Sequence, residues 1–163
     1  MASNGNSDTA LRRARGGGRR GGSWLTLFPL LIIPVLIYNL IGFLGSGGPE
    51  GAKAVQDTMM SAALTLPMPS NISWVIAWGD VLVLIALCLL FVELLKSTGT
   101  GTMEIFNHGL SMVVFIICLI EFLLIKSFAT STFFLIMTMS LLDTLAGMIV
   151  TIVSARRDVE FER

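Results

Sequence analysis

Residues 132–154 read TFFLIMTMSLLDTLAGMIVTIVS. That stretch of 23 residues carries one ionisable side chain, Asp143. A helix needs about 20 predominantly apolar residues to cross a hydrocarbon core about 30 Å thick. Backbone groups in lipid must be satisfied within the segment, so the stretch reads as a membrane-crossing helix. Ser140, Asp143, Gly147, Thr151 and Ser154 follow one another at i, i+3, i+7, i+11 and i+14, which is one face of a helix. That face is small and polar. Its Ser140, Gly147 and Thr151 are suited to close helix packing.

Three further segments resemble it in length and apolarity: Trp24 to Leu44, Trp74 to Leu95 and about Phe106 to Ile125. None alternates as a barrel strand would. Composition agrees. The chain has 163 residues, of which 54% are hydrophobic and 13% charged. Soluble domains carry about 25% charged residues. So apolar a chain is not disordered over most of its length. A formal net charge of +0 gives no electrostatic reason for a nucleic-acid partner. Two cysteines, Cys88 and Cys118, both in apolar runs, do not make a disulfide scaffold.

Basic residues set the orientation. Arg12, Arg13, Arg15, Arg19 and Arg20 precede the first segment, Lys96 follows the second, and Arg156, Arg157 and Arg163 follow the fourth. Only Lys53 and Lys126 fall on the other side. The expectation is an all-α polytopic membrane protein with four transmembrane helices in an antiparallel bundle and both termini cytoplasmic. The helices span about 24–44, 74–95, 106–125 and 132–154. A disordered basic arm (1–23) precedes them, and a cytoplasmic tail (155–163) follows. The first apolar run exceeds the 7–15 residues of a signal-peptide core, so an uncleaved anchor in a bacterial inner membrane is expected.

The outer loop, 45–73, is the one substantial piece outside the four segments. Val55, Met59, Ala62 and Leu66 fall at helical spacing. They predict a short helix, either on the membrane surface or folded back as a lid. Pro67-Met68-Pro69-Ser70 then ends the helix and leads an extended stretch into Trp74. Asn71-Ile72-Ser73 also matches a glycosylation acceptor. Pro29 and Pro34 are expected to kink the first segment.

Ionisable groups inside a membrane are functional candidates by default. At about 1.5 Å per residue, Asn39, Asp80 and Glu121 fall roughly 8–9 Å from the outer ends of their segments, and Asp143 falls near the midplane. These four are the candidate proton or ion site. Segment three carries a stripe of Glu104, Asn107, Ser111, Cys118 and Glu121, and segment two carries Asp80 and Cys88. These faces are expected to meet inside the bundle. The competing reading is that each acid only fixes helix packing. Glu93 and Lys96 are read as an interfacial pair, and Glu104 and His108 as a helix-end pair.

No phosphate loop, dinucleotide fingerprint, C-x-x-C or H-E-x-x-H occurs, so no catalytic residue, metal or cofactor is assigned. Two functions follow. One is a non-enzymatic accessory or assembly subunit of a membrane complex. The other is a small oligomeric proton-coupled transporter or channel using its intramembrane carboxylates. The lipid bilayer is the expected partner, with other membrane subunits or self-association as further possibilities. Trp78-Gly79-Asp80 leading to Phe91-Val92-Glu93-Leu94-Leu95-Lys96, and Ser154-Ala155-Arg156-Arg157-Asp158, resemble small uncharacterised inner-membrane proteins of alphaproteobacterial type over residues 66 to 158. That resemblance implies a location and no activity.

Overall fold

A computed structural model describes residues 28–45, 50–96 and 102–161. The order of elements is α1 (Ile32–Gly45), α2 (Gly51–Met60), β1 (Ala62–Pro67), β2 (Ser73–Ala77), α3 (Trp78–Lys96), α4 (Thr102–Leu124), a 3-10 turn (Lys126–Phe128) and α5 (Ser131–Phe161). Three helical stretches are long and apolar enough to cross a membrane: Trp78–Lys96, Ile105–Leu124 and Ser131–Val150. Their large apolar side chains, such as Leu84, Phe91, Ile117, Leu124 and Ile149, point outward, the reverse of a soluble bundle.

The first segment differs from its expectation. Its helix has 14 residues, about 21 Å, and begins at Ile32. Residues 24–27 lie outside the described part, as do the arm and the segment from 46 to 49. The prolines bracket the start of α1. Pro29 sits in the preceding turn, where its carbonyl accepts the Ile32 N–H at 3.2 Å. Pro34 falls in the first helical turn, where a backbone N–H has no intrahelical partner to lose.

The fold is also not purely helical. Residues 62–66 were expected to continue a helix, but they form β1, which pairs antiparallel with β2. Leu64 faces Ile76, Thr65 faces Val75 and Leu66 faces Trp74. Proline disfavours helical backbone in the residue before it, so Pro67 and Pro69 push Leu66 and Met68 toward extended conformations. The turn is closed by Asn71 N–H to the Met68 carbonyl at 3.0 Å and Met68 N–H to the Ile72 carbonyl at 2.9 Å. Asn71 has φ 61°, a left-handed conformation that asparagine tolerates.

The short helix α2 does form, and it folds back onto the bundle. Gly51, Val55 and Met59 are buried. The Ser61 carbonyl accepts the Trp78 N–H at 3.1 Å, which ties the end of α2 to the start of α3. α5 packs against both α3 and α4, and α1 lies antiparallel to α3.

The core at the hairpin end is aromatic. Tyr38, Phe128 and Phe133 are fully buried, with ring centroids 4.8–5.4 Å apart. Gly42 admits the Phe128 ring against α1; a Cβ there would lie 2.8 Å from the ring. The Tyr38 hydroxyl donates to the Ser127 carbonyl at 3.2 Å and shares a hydrogen bond with Thr130 Oγ1 at 2.5 Å. Thr130 in turn caps α5 by accepting the Phe133 N–H at 3.2 Å.

Candidate functional site

Toward the other end of the bundle the facing sides of α3, α4 and α5 are polar. Glu93, Asn107, His108, Ser111, Ser140, Asp143 and Thr144 are all buried. Helical periodicity puts them there. On α3 the buried face is Gly79, Leu82, Ala86, Leu90 and Glu93. That spacing repeats the small-residue stripe of α5. Antiparallel packing of α4 on α5 sets His108 against Gly147 and Ser111 against Asp143. Gly147 has a specific role here, since a Cβ at that position would collide with the His108 ring.

Glu93 is the anchored member of this cluster. Its carboxylate, 0% exposed, accepts the Leu30 N–H at 3.0 Å, the Asn107 side-chain amide and the Lys96 ammonium at 3.2 Å. Lys96 also donates to the Phe28 carbonyl at 3.3 Å. Glu93 and Lys96 therefore clasp the start of α1 to the end of α3. A charged acceptor of this kind stabilises more than a neutral one, by about 1.5–3 kcal/mol.

Asp143 is arranged differently. It too is 0% exposed, but among the described residues neither carboxylate oxygen has a hydrogen-bond partner of full geometry. Ser111 on α4 faces it. Ser111 Oγ, Ser140 Oγ, Asn107 Oδ1 and both His108 ring nitrogens likewise have no partner. Folded proteins leave only a few buried polar groups unsatisfied per hundred residues. Here they concentrate on the two facing helices α4 and α5. Among the described residues, no group of three His, Cys, Asp or Glu side chains is placed to share a metal ion.

The other candidates from the sequence separate. Asn39 and Glu121 do meet: the Asn39 amide donates to Glu121 Oε2 at 3.1 Å and to the Val35 carbonyl at 3.0 Å, joining α1 to α4. Asp80 does not join them. It is exposed, and it accepts the Ala77 N–H at 3.0 Å, closing half of a capping box at the start of α3. Cys88 is exposed as well, so the Asp80–Cys88 face points away from the bundle. One residue is 100° of helix, and Gly79 rather than Asp80 begins the buried face. Ser140 and Gly147 lie on the buried face of α5, while the side chains of Glu104, Thr151 and Ser154 lie outside the described part.

Neither Glu93 nor His108 stands out in the sequence as a member of this cluster, because both sit near segment ends, where water is ordinarily close. The signal was available: Glu93 falls in register with Gly79, Leu82, Ala86 and Leu90. No family model, no curated protein and no solved structure matches this chain.

Proposed function

We propose that this is a small polytopic membrane protein that handles a cation at Asp143, as an oligomeric transporter or channel. The observation that carries the reading is a fully buried carboxylate, in the middle of an apolar helix, whose oxygens no protein group satisfies. An unpaired acid in that setting either takes up a proton or has its charge compensated by a bound cation. Buried polar groups lead from Asp143 through Ser111, His108 and Asn107 to Glu93 and the partly exposed Lys96. That row offers a proton or ion a way toward one face of the membrane. In this reading α1 is the fourth crossing, and both termini are cytoplasmic in an inner membrane. The asymmetry of basic residues supports that orientation.

The test is cation flux in proteoliposomes holding the full-length protein. Asp143→Asn keeps the shape and cannot carry a proton or a charge. Flux abolished in this variant, with folding preserved, is the expected result. Flux equal to wild type would overturn the reading.

One observation favours the accessory-subunit reading. Leu64, Ile72, Trp74 and Val75 of the hairpin are 50–67% exposed, and a two-stranded hairpin has two open edges. Such an element fits docking against another membrane subunit. Native mass spectrometry of a mildly solubilised particle tests it: a defined heteromeric complex, lost when residues 64–76 are replaced by a Gly-Ser linker, supports this reading.

A further inference from the structure

We infer that the cluster of buried polar side chains where α4 faces α5 is a sodium site, with Asp143, Ser111 and Ser140 as its oxygen ligands and Asn107 as a supporting one. This rests on the cation reading of Asp143 and names the ion. The argument starts from the atoms left over. Both Asp143 oxygens, Ser111 Oγ, Ser140 Oγ and Asn107 Oδ1 are buried and partnerless. All are oxygens. Ser140 stands one helical turn before Asp143 on the same face of α5, and Asn107 one turn before Ser111 on α4. The two faces are set against each other at Ser111 and Asp143.

A proton is a poor match for this set. It binds one carboxylate oxygen and supplies one donor, which leaves the remaining oxygens as they were. A cation draws on the lone pairs of all of them at once. Hard cations without a preference for nitrogen or sulfur take carboxylate, hydroxyl and carbonyl oxygens. The charge must also balance, because an uncompensated ion in a low-dielectric interior is strongly disfavoured. One carboxylate balances one positive charge. A second carboxylate is present at Glu93, but the Lys96 ammonium and two N–H donors already hold it. The site is therefore suited to a monovalent ion and not to calcium or magnesium. Few ligands on closely packed helices favour the smaller sodium over potassium. Asn107 links this cluster to the Glu93–Lys96 clasp, because its side-chain amide donates to Glu93.

The experiment measures binding of radioactive sodium to the purified full-length protein in nanodiscs, at constant ionic strength with choline as the replacement cation. Expected is saturable binding that potassium displaces weakly. Asp143→Asn should abolish it. Ser111→Ala and Ser140→Ala should each weaken it at least about tenfold, the lower end of what losing even a supporting group does at metal sites. The exposed Asp57→Asn should bind as wild type does. Cooperative unfolding of each variant establishes that it is folded. Absence of saturable sodium binding by folded wild type overturns the inference, and so does full affinity in both serine variants. Proton flux that depends on Asp143 without sodium binding would sink the sodium site and leave the proposed function standing. Loss of both would sink both.

Discussion

The hairpin end and the opposite half of this bundle bury similar kinds of side chain and treat them in opposite ways. At the hairpin end, the Tyr38 hydroxyl, the Ser127 carbonyl and the Thr130 hydroxyl satisfy one another beneath a cluster of three aromatic rings. Around Asp143, seven side-chain nitrogens and oxygens are buried without a partner. A satisfied network holds one geometry, whereas an unsatisfied one leaves groups ready for a ligand. The first region is thus built for stability. The second has an arrangement that stability alone does not favour.

Substitutions sharpen this contrast, read as unfolding free energies from SDS titration in mixed micelles. The largest effect is expected for Phe128→Ala, which empties the space between Tyr38, Phe133 and Gly42. A loss of about 3–5 kcal/mol is the usual cost of truncating a buried aromatic. Glu93→Ala comes next, at about 1.5–3 kcal/mol, because it removes the acceptor shared by Leu30, Lys96 and Asn107. Gly147→Ala drives a methyl into the His108 ring and should lose about 1–3 kcal/mol through overpacking. Tyr38→Phe deletes one hydroxyl and leaves its partners short of a bond, for about 1–2 kcal/mol. Asp143→Asn should be neutral or stabilising, since it replaces a buried carboxylate that no described residue anchors as Glu93 is anchored. If Asp143→Asn destabilised as much as Glu93→Ala, the contrast between anchored and unanchored carboxylates would be wrong.

The two carboxylates also show how far the sequence could be read. Asp143 was legible because it interrupts a long apolar run, and a helix with period 3.6 has to place it with Ser140 and Gly147. Glu93 lies three residues from a lysine near a segment end, where a chain alone reads as interfacial. Only the approach of Leu30, ahead of α1, and of Asn107, on α4, encloses it. The hairpin shows the same limit. Ala62 and Leu66 fit helical spacing with Val55 and Met59, but Pro67 and the partner strand at 73–77 decide otherwise. Asp80 lies on the exposed face of α3 and not on the buried one, because counting residues gives a position along a helix while direction depends on which neighbour the helix meets.

The sequence by itself determined three of the long apolar helices and the stripe of small and polar residues on α5. Hydrophobic transfer and the need to satisfy backbone groups in lipid act locally, on about 20 consecutive residues at a time. The tertiary structure decided the length of α1 seen here, the hairpin in place of a longer helix, and which acids share a site. Those outcomes depend on contacts between residues far apart in the chain, such as Leu30 with Glu93 and Ser111 with Asp143. A helical pattern fixes the face a side chain occupies, and the neighbouring helices fix whether that face finds a partner.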